Sequence, residues 1–193
     1  MTLARRTLFL LAALAVALPS AWAQGRPAGD KLVFIVRHAE KANATDADPS
    51  LSEAGTARAE ALAYALHDAG VTSILVTSRK RTAETAAPLA SALELTSHVV
   101  PFGTGTAEHA ALVAKAVVAA QRSGAVLVVG HSNTVNAIIA ALGGPRMPDL
   151  CDAAYANLFI VRLPANGPPT LVRAQFGADD HAESATCAGM TVR

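Results

Sequence analysis

The sequence has no strong excess of charge, no internal repeat, no low-complexity block and no heptad pattern. Each absence closes off a class of function. Sixteen Lys and Arg stand against fifteen Asp and Glu, and the one basic cluster, Arg79-Lys80-Arg81, is too small to make the basic face that nucleic acid requires. Six histidines are present, yet no His-Glu-x-x-His or comparable spacing marks a metal site. There are only two cysteines, Cys151 and Cys187, and neither lies at a strand-to-helix junction where a catalytic thiol is expected. The single Trp, Trp22, falls in a segment that reads as a leader.

That leader is the first positive signal. Arg5 and Arg6 form a basic start, Leu8 to Leu18 is apolar and uncharged, and Ala21-Trp22-Ala23 follows Pro19 and Ser20. This order is that of a secretory signal peptide cut after Ala23. The apolar run is too short to span a bilayer, and no Cys near the cut offers a lipid anchor. The expectation is therefore a signal peptide over residues 1–23 and a single domain over residues 24–193, located in the periplasm or secreted. Taking 23 residues from 193 leaves 170, enough for one domain with a real core. The leader removes two arginines and no acid, so the formal charge of the remainder is −1. In an exported protein an even cysteine count points to a disulfide between Cys151 and Cys187. It would close a 36-residue loop and contribute roughly 3–4 kcal/mol.

Along the chain, strand and helix alternate. Apolar, β-rich runs are expected as strands at about Lys31 to Val36, Ser73 to Thr77, Ser97 to Pro101 and Ala125 to Val129. The last is the most apolar and is expected at the centre of the sheet. Helices are expected from Ser52, as N-cap, to about Ala69, from Thr82 to Leu93, from Ala107 to Gln121 and from the Gly130 turn to Leu142. Pro88 inside the second helix predicts a kink or a restart. Leu158 to Leu163 and Thr170 to Phe176 flank Asn166-Gly167-Pro168-Pro169 as a hairpin. The fold class predicted is α/β: a three-layer α/β/α sandwich with a mostly parallel central sheet and an antiparallel C-terminal edge hairpin.

The charged residues at the strand ends carry the chemistry. Arg37 and His38 follow the first strand, Arg81 follows the second, and His131 follows the fourth. In a parallel sheet those ends share one edge, which is where open α/β sheets hold their ligands. Guanidinium groups there suit an anion, and phosphate above all, through paired hydrogen bonds. Each residue alone could be a solvated loop cation; their convergence is what distinguishes them.

Arg37-His38-Ala39-Glu40 resembles the Arg-His-Gly signature of the histidine phosphatase (phosphoglycerate mutase-like) superfamily. Thr77-Ser78-Arg79-Lys80-Arg81-Thr82-Ala83-Glu84-Thr85-Ala86 resembles its second motif and Gly130-His131-Ser132-Asn133-Thr134 its third, while Leu51-Ser52-Glu53-Ala54-Gly55 is similar to the segment that opens its first helix. The resemblance covers about Leu32 to Leu142 and implies phosphoryl transfer through a phosphohistidine, with no metal and no other cofactor. It implies His38 as nucleophile and Arg37, Arg81 and His131 as ligands of the phosphoryl oxygens. A neutral imidazole can attack phosphorus, and two guanidinium groups can stabilise charge on the equatorial oxygens. Ala39 stands where the family often has Gly.

A general acid is harder to place. In many relatives a carboxylate after the third strand serves, and Glu108 is the nearest here; it could equally be a first-turn residue favoured by the helix dipole. Glu40 is the second candidate, and could equally pair with Lys41, Arg58 or solvent. His67, His98 and His181 have no motif around them, and His109 lies near the expected acid. The reading that leads is a metal-independent phosphomonoester hydrolase acting on a small phosphorylated substrate, with no nucleic-acid partner and no membrane anchor after cleavage. The alternative is a weak or inactive phosphatase-fold module that binds a phosphorylated ligand. Substrate and oligomeric state are left open, and the segments 37–50 and 145–156 are expected to rim the cleft.

Overall fold

The computed structural model describes residues 29–43, 45–120 and 124–180. The expected signal peptide, His181 and Cys187 lie outside the described residues. Ten elements follow one another: β1 (Lys31–Arg37), α1 (Glu53–Leu66), β2 (Val71–Val76), α2 (Lys80–Ala92), β3 (Ser97–Val99), α3 (Thr106–Ala119), β4 (Ala125–Gly130), α4 (Val135–Ala141), β5 (Asn157–Leu163) and β6 (Thr170–Gln175). They build one six-stranded sheet in the order β3-β2-β4-β1-β5-β6. The pairs β1/β4, β2/β4 and β2/β3 are parallel; β1/β5 and β5/β6 are antiparallel.

The alternation of side chains along the strands divides the core in two. On β1, Val33 and Ile35 join Val126 and Val128 of β4 against Ala110, Val113 and Val117 of α3 and Ile138 and Ile139 of α4. Phe34 and Val36 join Leu127 and Val129 on the other face, against Leu62 and Leu66 of α1 and Ala86 and Leu89 of α2. Every residue of β4 is buried. Covered on both faces, such a strand must be apolar throughout, which is why it reads as an unbroken hydrophobic run. Each large side chain fully withdrawn from water contributes about 1.5–3 kcal/mol.

Local chemistry sets the element ends. The Ser52 hydroxyl accepts the Gly55 N–H at 3.1 Å, capping α1. Gly55 is required for a second reason: a Cβ at that position would overlap the Glu40 carbonyl oxygen, so only glycine lets α1 approach the loop after β1. Helix α1 ends at Leu66, three residues before Ala69; Ala69 packs on the same core from the turn. Pro88 lies inside α2, which neither ends nor restarts there. Strand β3 stops at Val99, although the Val100 N–H still reaches the Val76 carbonyl at 2.8 Å. Lys31, buried at the start of β1, donates through Nζ to the carbonyls of Val117 at 2.7 Å and Ala120 at 2.8 Å. It thereby satisfies acceptors at the C-terminus of α3, where a cation is favoured by the helix dipole. Among the described residues no helix is long and apolar enough to cross a membrane.

Candidate active site

The parallel register brings the site together. Arg37 lies opposite Gly130 across β1 and β4, and the His38 N–H donates to the Gly130 carbonyl at 2.9 Å. His38 and His131 therefore leave adjacent strands side by side, with ring centroids 5.2 Å apart and planes at 63°. Both are nearly withdrawn from solvent, at 3% and 6% exposure, as is Arg37 at 2%.

The hydrogen bonds fix both tautomers. His38 Nδ1 faces the Ala39 carbonyl at 2.8 Å, and since a carbonyl only accepts, Nδ1 carries the proton. Nε2 of His38 is left with its lone pair. His131 Nδ1 receives the Nη2 donor of Arg81 at 3.3 Å, so its proton resides on Nε2, which donates to the Thr77 hydroxyl at 3.0 Å. Burial pushes His38 down to about 3, with the Ala39 carbonyl opposing the shift and Arg37 and Arg81 adding to it. His131 is likewise pushed down to about 3, first by burial and then by His38 and Arg81. Both rings are neutral at physiological pH.

Threonines hold this arrangement. Thr82 donates to the Arg79 carbonyl at 2.8 Å and meets the Thr77 hydroxyl at 3.0 Å, tying the start of α2 to the end of β2 beside His131. Thr85, one turn later, donates to the Arg81 carbonyl at 2.6 Å and accepts the Ala39 N–H at 2.9 Å. The Thr134 hydroxyl accepts the His131 N–H at 2.8 Å. These residues lie in the second and third motifs, and their hydroxyls explain the threonines there.

The two arginines are partly engaged. Arg37 donates to the Cys151 carbonyl at 2.9 Å and to Asp152 at 3.3 Å, and its guanidinium carbon lies 4.2 Å from the centre of the Tyr155 ring. Arg81 faces Asp48 at 3.6 Å. Burial works against the charge of both. Nε of Arg37 and Nε of Arg81 are buried without a partner among the described residues. A buried donor left unsatisfied costs about 1–3 kcal/mol, more when charged. A tetrahedral oxyanion between them is the chemistry that would satisfy both.

The structure does not bring Glu108 into this cluster. Its carboxylate accepts from the Thr104 N–H at 2.7 Å and from the Thr104 hydroxyl at 2.5 Å. Those bonds hold the fully exposed carboxyl below its ordinary value, which opposes a role as proton donor. Gly103, at φ +65°, lies under the same carboxylate, where a Cβ would overlap it. Glu108 thus closes its own loop onto the first turn of α3. Glu40 is committed as well: the buried Arg58 donates to both its oxygens, at 2.9 and 3.0 Å, and also to the Phe176 carbonyl at 3.1 Å.

Two side chains at the site carry no motif. Phe102 follows β3 and stacks on His109 at 4.6 Å, with its ring 5.2 Å from that of His131. Tyr155 has its ring 6.3 Å from that of His38. Its place within the 145–156 segment expected to rim the cleft was the available signal. His109 is buried and bonded to the Pro101 carbonyl, while His67 and His98 are exposed. Among the described residues no group of three or more His, Cys, Asp or Glu is placed to hold a metal ion.

Comparison with known proteins gives a consistent picture. The model of the histidine phosphatase superfamily (branch 1) matches residues 33–101. A mycobacterial structure titled hydrolase 2 is 17% identical, with a TM-score of 0.59 over 82% of this chain and 95% of its own. The protein histidine phosphatase SixA, solved with tungstate, is 21% identical, with a TM-score of 0.58 over 75% of this chain and 96% of its own. Mycobacterial glucosyl-3-phosphoglycerate phosphatase is 16% identical, with a TM-score of 0.56 over 69% and 90%. At these identities the structures speak for the fold. No curated protein matches the chain.

Proposed function

From the match of residues 33–101 to the histidine phosphatase superfamily model, we propose that the chain is a member of that superfamily and hydrolyses phosphomonoesters through a phosphohistidine at His38, without a metal ion. The observation that carries this reading is the free Nε2 lone pair of a neutral His38 beside two guanidinium groups whose buried Nε donors lack partners.

In the first step the Nε2 lone pair of His38 forms an N–P bond and the ester P–O bond breaks, its electron pair leaving on oxygen. Charge builds on the equatorial oxygens, where Arg37 and Arg81 donate and the ring of His131 lies alongside. The phosphorylated ring keeps its Nδ1 proton on the Ala39 carbonyl, which offsets the positive charge the ring acquires. In the second step water forms the O–P bond, the N–P bond breaks, and its pair returns to Nε2. The proton released by water leaves with phosphate or to solvent.

The basic and apolar leader and the pair Cys151 and Cys187 support an exported enzyme, periplasmic or secreted, with a disulfide between those cysteines. Finding two titratable thiols in the native, unreduced protein would remove the disulfide from this account.

Hydrolysis of p-nitrophenyl phosphate by residues 24–193 in the presence of a chelator, beside His38→Ala, tests the main proposal. Turnover that survives the chelator and is lost in the variant is expected. Turnover that persists in His38→Ala, or that the chelator abolishes, contradicts it.

A further inference from the structure

Among the described residues, the carboxylates on the loops around the histidine pair are already occupied by N–H donors, Asp180 by the Tyr155 and Ala156 N–H groups at 2.8 and 2.9 Å. Asp48 accepts from the Lys80 N–H at 3.1 Å and faces Arg81, Asp152 pairs with Arg37, Glu40 is held by Arg58, and Glu108 by Thr104. None is poised to give a proton to a departing oxygen. The Tyr155 hydroxyl accepts the Nη2 donor of Arg37 at 3.4 Å, and burial raises its phenol above the ordinary 10, so it keeps its proton as a phenolate of lower basicity departs.

The aromatic residues supply a second, independent observation. Among the described residues Phe34, Phe159 and Phe176 are buried in the core, and Tyr64 is exposed. The two that remain, Phe102 and Tyr155, flank the reacting pair, one beside His131 and the other beside His38. Both are held: Phe102 by the buried His109 it stacks on, and Tyr155 by the Arg37 guanidinium. Two aromatic rings beside the histidine pair offer stacking surface to a flat group.

From these we propose that the enzyme is specific for aryl phosphates, phosphotyrosine-like esters included, whose aromatic ring lies between Phe102 and Tyr155 and whose phenolate leaves without being protonated by the protein. This deepens the phosphohydrolase reading above and rests on it. The balance of the step is simple. The N–P bond to His38 forms as the aryl P–O bond breaks, the electron pair stays on the phenolate oxygen, and solvent protonates the phenolate after departure.

The experiment is a series of substituted phenyl phosphates, with phosphotyrosine and a simple alkyl phosphate, assayed on residues 24–193. The quantity read is kcat/KM, since it reports the steps through departure of the leaving group whatever limits kcat. Without a protein acid, kcat/KM should fall steeply as the leaving phenol becomes more basic, by about tenfold for each unit of its pKa. The alkyl ester should be turned over at least about a thousandfold less efficiently than the best aryl ester. Phe102→Leu, which keeps apolar bulk and loses the ring, should narrow the aryl-over-alkyl ratio by about fivefold, with the far-ultraviolet spectrum checked for an unchanged fold. A flat dependence on leaving group, or an alkyl ester cleaved as well as the aryl ones, overturns the proposal and leaves the phosphohydrolase reading standing. No His38-dependent hydrolysis of any ester in the series overturns that reading instead. The series on the unaltered protein decides the matter even if Phe102→Leu does not fold.

Discussion

The Thr77 hydroxyl accepts the Nε2 proton of His131 at 3.0 Å, and that bond decides which nitrogen of His131 faces Arg81. Three elements meet there: the end of β2, the start of α2 and the end of β4. Thr77→Val removes the acceptor while conserving shape. The prediction is a loss of about 1–3 kcal/mol in stability from the unsatisfied His131 proton. A drop in kcat/KM of at least about tenfold is expected with it, as the ring loses its fixed tautomer. Urea unfolding and steady-state kinetics measure the two effects; unchanged kinetics in Thr77→Val would remove His131 orientation from the account.

The Glu40–Arg58 pair predicts a loss of stability rather than of chemistry. Arg58 is buried and its partner Glu40 is about one-fifth exposed. Breaking a buried pair by removing one partner costs about 3–5 kcal/mol, and the partial exposure of Glu40 places Glu40→Gln toward or below the lower end. Glu40→Gln should therefore lower the urea midpoint without changing how kcat/KM depends on leaving group. A change in that dependence would make Glu40 the proton donor after all.

Glu108 carries a parallel expectation. Its carboxylate is spent on Thr104, so Glu108→Gln, which can still accept those bonds, should retain kcat/KM within about twofold. A loss of about a hundredfold or more, confined to poor leaving groups, would return Glu108 to the site as general acid.

Two buried histidines make the folded state sensitive to acid. His38 and His131 are pushed down to about 3 from an ordinary 6.5, so the unfolded chain binds protons that the folded one refuses. The stability they contribute is complete above about pH 6.5 and is lost as pH falls from about 6.5 toward 3. Urea midpoints taken across that range should decline, and decline less steeply in His38→Ala. The ring-proton resonances of His38 and His131 should not titrate between about pH 5 and 8; a midpoint near 6.5 for either would contradict the geometry that keeps them neutral.

Gly55 offers a test of the fold itself. A Cβ there meets the Glu40 backbone, which cannot move without displacing the His38 loop. Gly55→Ala should destabilise the protein by about 1–3 kcal/mol through overpacking and lower activity in the fraction that folds. An alanine variant as stable as the parent would show that the loop yields.

The strand ends were legible in the sequence because both faces of the central strands are covered. Ala125 to Gly130 must be apolar for its full length, so the polar residue that follows, His131, stands out, as Arg37 and His38 do after β1. Helix starts were legible where a side chain caps them, as Ser52 does; α2 begins two residues before Thr82 because its N-cap, Arg79, makes no side-chain bond that could mark it. Pro88 predicts a kink or a restart, and α2 runs through it as one helix from Lys80 to Ala92 with no restart. The carboxylates misled for another reason. A Glu in a first turn looks the same in sequence whether it reaches a substrate or its own loop, and only the position of Thr104 decides between them. Phe102 and Tyr155 carry no periodicity or motif, and their approach to the histidines depends on how two irregular segments fold back.

The central claim is that His38 becomes phosphorylated. Mixing the protein with a radiolabelled aryl phosphate, quenching in alkali within milliseconds and mapping the label by peptide mass is the most direct test. The account predicts a label stable to alkali and labile to acid, located on His38 and absent from His38→Ala. Turnover that proceeds with no such adduct, or with the label on another side chain, would contradict it.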